Sequence, residues 1–191
     1  MFFGVKACDA AALAVQDRFF AEDSYYQARR QAALVVAVDC RHPCATGFCP
    51  LTHSGPCVRE GADIVLTPAP HGWYLQVATE QGQTALAGLS LAASDDMTVN
   101  QHRQATEQQC LAEFADLSTL ATGMSRLQAG QVTAQEWEML AVQCLSCSGC
   151  VNLCPTCSCF TTFDVTHTDK TVVRERVWDS CLYDGFQREA S

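Results

Sequence analysis

The segment Cys144-Leu-Ser-Cys147-Ser-Gly-Cys150-Val-Asn-Leu-Cys154-Pro155 constrains this chain more than any other feature. Its spacing is C-x2-C-x2-C-x3-C-P. Three thiolates at two-residue gaps let one tight loop wrap three corners of an iron–sulfur cubane, which needs soft, deprotonated ligands. Small residues at 146, 148 and 149 are expected to let backbone amides approach the cluster, and Pro155 turns the chain away. In this arrangement the fourth cysteine commonly serves the other cluster of a two-cluster protein. The spacing therefore assigns Cys144, Cys147 and Cys150 to one [4Fe–4S] cluster, with Cys154 the fourth motif ligand and provisionally a ligand of a second. A zinc site also takes four thiolates, but usually as two separated pairs.

The chain holds thirteen cysteines in 191 residues, an odd number that cannot all pair as disulfides. The N-terminus MFFGVKACDAAAL lacks the charged-then-apolar layout of a secretory signal, and no apolar run reaches the roughly 18 residues that span a bilayer. Metal-held thiolates in a reducing cytoplasm are the expectation. A net charge of −9 argues against nucleic acid and anionic membrane surfaces as partners. An apolar fraction of 48% supports a core of ordinary size.

The pattern predicts an α+β protein: an N-terminal mixed α/β domain with β-hairpins, then a helical-ferredoxin-like iron–sulfur segment. Phe2 to Val5 reads as a strand, Asp9 as the cap of a helix to Phe20, Asp23–Arg30 as a second helix and Leu34–Val38 as a buried strand. Residues 40–57 carry three Pro, two Gly and four Cys, and read as a loop with fixed turns. Ile64–Leu66 and Trp73–Val77 bracket a turn and predict a hairpin. Residues 84–128 are helical by composition, with a break and new cap at Asp95–Thr98 and ends at Gly123 and Gly130. Thr133 and Glu136 form a capping-box pattern whose helix leads into Cys144. Phe160–Val165 and Thr171–Val177 predict a second hairpin. Domain bounds follow as 1–95, 96–160 and 161–191.

Two further thiol groups stay open at this level. Cys157, Cys159 and Cys181 are ligands of another site or small buried residues, and the second hairpin can return Cys181 toward the cluster loop. The N-terminal group is Cys8, Cys40, Cys44, Cys49 and Cys57: Cys8 closes a strand and Cys40 follows the strand 34–38, and neighbouring strand ends can be close, so four of the set can form a metal site or all can be buried thiols. Cys110, alone in a helix, reads as core. His42 and His53 are either accessory ligands or solvent-exposed loop residues, whereas His71, His102 and His167 read as turn or surface. No phosphate loop, GxSxG or HExxH motif is present, and no acid/base pair can be named, so no catalytic residue is assigned.

Several segments in order carry a family resemblance: FGVKACDAAAL (3–13), DSYYQARR (23–30), VDCRHPCATGFC with SGP (38–56), the Trp137, Glu138, Leu140, Ala141 lead-in, CLSCSGCVNLCPTCSCF (144–160) and RVWDSC (176–181). The chain resembles the β subunit of cytoplasmic sulfhydrogenase-type [NiFe] hydrogenases and its relative, the 4Fe-4S dicluster subunit of anaerobic sulfite reductase. The resemblance implies an electron-transfer protein with two [4Fe–4S] clusters that relays electrons between a flavin subunit and a hydrogenase or sulfite reductase subunit. It implies a further N-terminal cluster near Cys8, Cys40 and Cys49, with Cys44 as substitute where the family has Cys-Phe-Cys and this chain has Gly47-Phe48-Cys49. It also implies that the chain is the central part of a longer subunit, whose second cysteine motif would follow the WDSC region. In that case the cluster is completed by Cys154, Cys157, Cys159 or Cys181, or an incomplete fragment holds no full set. A zinc-stabilised interaction module without redox activity is the alternative.

Overall fold

A computed structural model describes residues 1–183 and Phe186. The rest of the C-terminal extension expected after residue 161 lies outside the described residues. The chain divides into two compact units, Met1–Ser125 and Arg126–Ser191. The mixed α and β content agrees with the expected class.

The first unit is built on a four-stranded sheet in the order β1-β2-β3-β4. Strands β1 (Phe2–Lys6), β2 (Val35–Val38) and β3 (Ile64–Ala69) are parallel, and β4 (Gly72–Val77) returns antiparallel through a tight hairpin. The hairpin strands run deeper into the turn than composition suggests, with Pro68 paired to Trp73. Helices α1 (Ala7–Phe19) and α2 (Ser24–Gln31) link β1 to β2. Helix α1 starts two residues before the expected Asp9 cap. Lys6, the last strand residue, serves as N-cap without a side-chain bond, and Asp9 instead lies in the first turn, where a carboxylate favours the helix dipole. Asp23 caps α2 by accepting from the Tyr26 amide at 2.9 Å.

The core is made of small residues. Ala7, Ala10, Ala37, Val58 and Val65 are buried together, with Val5 and Ala62 against them. Such a core lets backbones approach closely. A Cβ on Gly61 (φ +83°) would lie 2.0 Å from the Ala10 carbonyl oxygen, and one on Gly82 would lie 2.4 Å from that of Asp63. Only glycine fits either place.

Two buried aspartates fix the ends of the central strands. Asp63 accepts from the Val35 amide (2.8 Å) and the Thr79 hydroxyl (2.6 Å), and Thr79 in turn caps α3 (Glu80–Ala85). Asp39, its side chain fully inaccessible, accepts from the Val58 amide (2.7 Å), the Thr67 hydroxyl (2.6 Å) and Arg103 Nε (2.9 Å). Arg103 also donates to the Val58 carbonyl. A buried carboxylate with this many donors has its desolvation offset.

Arg103 belongs to α4 (Asp96–Ala112), capped by Asp95 as expected. Composition groups this helix with the 96–160 region; its ion pair with Asp39 ties it to the sheet instead. His102, expected at a turn or surface, sits on α4, bonding the Pro68 carbonyl at 2.6 Å and meeting Tyr74 edge-on. Helix α5 (Ser118–Gln128) passes through Gly123, which does not end it. Gly130 (φ +64°) marks the end, as the Gln131 amide bonds back to Arg126 at 2.9 Å.

The second unit holds α6 (Ala134–Val142), α7 (Gly149–Leu153) and the hairpin β5 (Phe160–Thr166)–β6 (Val172–Trp178). The capping box at Thr133 and Glu136 is complete in both directions. No helix among the described residues is long and apolar enough to cross a membrane.

Candidate metal centre

Helix α6 delivers the chain to Cys144, whose amide still bonds the Ala141 carbonyl (3.1 Å). The backbone then takes left-handed turns at Ser146 (φ +51°) and Ser148 (φ +55°), positions where non-glycine residues carry strain. The first turn aims the Ser146 amide at Cys144 Sγ, 3.4 Å away. The second starts α7: the Ser148 carbonyl accepts from Val151 and Asn152, and Asn152 Nδ2 reaches Ser148 Oγ. Cys150 rides on α7, and Cys154 closes it. A Cβ at Gly149 would lie 3.7 Å from Cys147 Sγ, an ordinary contact, so space alone does not require glycine there.

Cys154 is the motif thiol with the clearest polar support. Its sulfur is 3.0 Å from the Thr156 hydroxyl, and this bond, followed by the Thr156 amide, holds its pKa below the usual thiol value. A hydrogen bond to the charged form favours that form. Sequence reasoning misses Thr156, because the only signal for its role is a hydroxyl two positions after a cysteine.

Cys144, Cys147, Cys150 and Cys154 are all exposed. Among the described residues, no three Cys, His, Asp or Glu side chains converge at the distances of a single bound ion. The backbone thus has the turns of a ligand loop without drawing its thiols to one point. The donor set still fits an iron–sulfur core: only soft sulfur ligands, with amide and hydroxyl donors directed at sulfur.

The later thiols flank the hairpin. Phe160 pairs with Trp178, and the Asp179 amide donates to the Cys159 carbonyl at 3.1 Å. The buried Ser180, bonded to the Leu182 amide, holds the following turn. Cys181 therefore lies two residues beyond the residue whose amide bonds the Cys159 carbonyl. Cys157 and Cys159 are half-buried and Cys181 is exposed.

In the first unit the other thiols gather where β1 and β2 end. Cys8 lies in the first turn of α1, and Cys40 follows β2 directly after Asp39. Loop 40–57 is closed by the Cys40 amide on the Pro56 carbonyl (3.0 Å), and a short 3-10 turn spans Cys49–Thr52. His42 Nδ1 reaches Glu113 Oε2 at 2.7 Å, and Gly47 packs against the Phe114 ring, so the loop rests on the end of α4. His53 (φ +54°) ends the 3-10 turn. Cys57 and Cys110 are buried. Desolvation pushes the thiols of Cys49 and Cys110 up to about 11 and that of Cys57 up to about 12, and it raises Cys8 and Cys40 as well.

Beside this loop, at the C-terminal edge of the parallel strands, is a cavity of about 570 Å³ lined by Lys6, Cys40, Arg41, His42 and Trp73 among others.

Comparison with known proteins agrees with the motif. Residues 143–191 match the family model of the 4Fe-4S dicluster domain, so this part of the chain is a [4Fe–4S]-binding segment. The chain is similar to sulfhydrogenase 2 subunit beta of Pyrococcus furiosus, with 28% identity over 186 residues, covering 95% of this chain and 55% of that one. It spans about half the length of the relative it matches. The resemblance stated from the motifs is thereby borne out. No solved structure matches significantly.

Proposed function

We propose that this chain is an iron–sulfur electron-transfer subunit of an oxidoreductase, and that Cys144, Cys147, Cys150 and Cys154 are its ligands in the second unit. The C-x2-C-x2-C-x3-C-P loop, within a stretch that matches the 4Fe-4S dicluster domain, carries this reading. The bound cluster supplies reversible one-electron chemistry at an outer-sphere centre. The chain's own residues hold and tune it. Four thiolates provide charge and softness, the Ser146 amide and Thr156 hydroxyl donate to sulfur, and the left-handed turns at Ser146 and Ser148 set the loop's path.

The partners consistent with this role are a flavin-containing reductase subunit on one side and a [NiFe] hydrogenase or sulfite reductase catalytic subunit on the other, in the cytoplasm. The similarity to a sulfhydrogenase β subunit supports that placement. Cys157 and Cys159, which lead into β5, and Cys181, which follows β6, are the local thiols available to a second cluster.

The test is anaerobic reconstitution of the full chain with iron and sulfide. Binding at the motif gives acid-labile sulfide equal to iron, broad visible absorption and an EPR signal after reduction. Cys147→Ser should remove the motif's share of iron. A colourless chain with zinc at stoichiometry and no sulfide would instead establish a zinc-held interaction module.

A further inference from the structure

The cavity at the carboxyl ends of the parallel strands is used by none of the chemistry described above. In open α/β sheets small molecules bind at this end, where the strands stop and the loops that leave them frame a crevice. Here β1 ends at Lys6, which pairs with Val38 of β2, and Arg41 follows three residues after Val38. The β3–β4 turn forms the other wall, with Pro68, Pro70 and Trp73. The volume of about 570 Å³ falls within the roughly 300–1,000 Å³ usual for small-molecule pockets.

Charge singles this cavity out. The chain as a whole carries a net charge of −9. Arg18, Arg30, Arg59, Arg103, Arg126 and Arg174 each pair with a carboxylate. Among the described residues Lys6 and Arg41 have no such partner, and both are exposed in the cavity wall. Lys6 is also the N-cap residue of α1, but its side chain makes no capping bond. The acidic residue in the lining, Asp39, has an inaccessible side chain whose oxygens are taken by Val58, Thr67 and Arg103. The wall therefore presents two uncompensated cations and no free carboxylate. His42 lines it too, its ring fixed by the 2.7 Å bond from Nδ1 to Glu113.

Trp73 supplies a second determinant. It is 57% exposed, yet it stands on a fixed strand pair. Its neighbour Tyr74 meets His102 edge-on, and His102 bonds the Pro68 carbonyl at 2.6 Å, which ties the hairpin to α4. Successive side chains on a strand point to opposite faces, so anchoring Tyr74 on α4 leaves Trp73 on the other face. An exposed indole beside two unpaired cations matches a ligand that joins a planar ring to an anionic group. The ring stacks on the indole, and the anion takes the ammonium and the two-pronged guanidinium.

We propose that this cavity binds an aromatic monophosphate of the mononucleotide class, with its phosphate on Lys6 and Arg41 and its ring on Trp73. The step is binding alone, and no bond is made or broken.

The test is isothermal titration calorimetry on the full chain purified without oxygen, with AMP, UMP and FMN as ligands. At least one of the three should bind with a Kd below about 1 mM. Inorganic phosphate, and the same ligand without its phosphate, should each bind at least about tenfold more weakly, because each keeps only part of the recognised chemistry. Lys6→Ala with Arg41→Ala should weaken binding about tenfold or more, and Trp73→Ala about fivefold or more. All three side chains are exposed, so melting should not change. Arg29→Ala, an exposed arginine outside the cavity lining, should leave the affinity as it was. The proposal is overturned if none of the three ligands binds below about 1 mM, or if the Lys6, Arg41 double variant binds like the parent. It is also overturned if Arg29→Ala weakens binding as much as the double variant does. Phosphate binding as tightly as the nucleotide, with Trp73→Ala neutral, would reduce the site to one for simple anions and overturn the ring assignment.

Discussion

The two thiol-rich regions of this protein are built in opposite ways. The C-terminal loop is contiguous in sequence: four cysteines, two left-handed serines and a five-residue helix lie in one short stretch, and all four thiols are exposed. The N-terminal group is assembled by the sheet. Its thiols lie at the starts and ends of different elements, behind a buried Asp39–Arg103 pair, and burial raises most of their pKa values. A contiguous loop can take up a cluster by closing on it. A site assembled from distant segments keeps its ligands together only while the fold around it stands.

That contrast can be broken most severely at Asp39. Asp39→Ala should destabilise the first unit by about 3 kcal/mol, because it strands a half-buried Arg103 and orphans the Val58 amide. Denaturant melts followed by near-ultraviolet circular dichroism measure this. Iron bound at residues 144–154 should be unchanged, and parallel loss of both would refute the separation. Gly61→Ala should act in the same direction by about 2 kcal/mol or more, since its Cβ would collide with the Ala10 carbonyl in a left-handed backbone.

Cys147→Ser sharpens the other side: the motif loses its cluster while the melting of the first unit stays within about 0.5 kcal/mol. Thiol chemistry separates the regions more gently. In the metal-free chain at neutral pH, iodoacetamide should modify Cys154 early, because its thiolate is stabilised by Thr156, and Cys57 and Cys110 last. Mass spectrometry of tryptic peptides gives the order, and early labelling of Cys110 would contradict its burial.

The smallest effect belongs to the capping box. Bonds from the Thr133 amide, Arg126 and the Thr133 hydroxyl lower the Glu136 carboxyl to about 2. A depressed carboxylate contributes stability that is complete above its ordinary value of 4.5 and is lost as pH falls toward about 2. Fraying of α6 across that window, absent in Glu136→Gln, is the expected signature by NMR.

Much of this is legible in the chain itself. Both hairpins, the caps at Asp95 and Thr133, and the helix leading to Cys144 follow from local patterns, since turn chemistry and capping act over a few residues. The start of α1 escapes local reasoning because Lys6 offers no capping side chain. Gly123 mimics a helix end because nothing beside it in sequence marks a glycine that a helix tolerates. Arg103 and His102 look like surface residues of a polar helix. Their partners, Asp39 and the Pro68 carbonyl, lie far away in sequence and become visible only once α4 meets β3.

The cysteine spacing alone pointed to residues 144–154 as an iron–sulfur loop, because such a motif is written within a single short stretch. Only the tertiary structure decided which of the N-terminal thiols are neighbours. It set Cys8 in the first turn of α1 and Cys40 directly after β2, and it buried Cys57 and Cys110, because strand pairing and helix docking fix those positions.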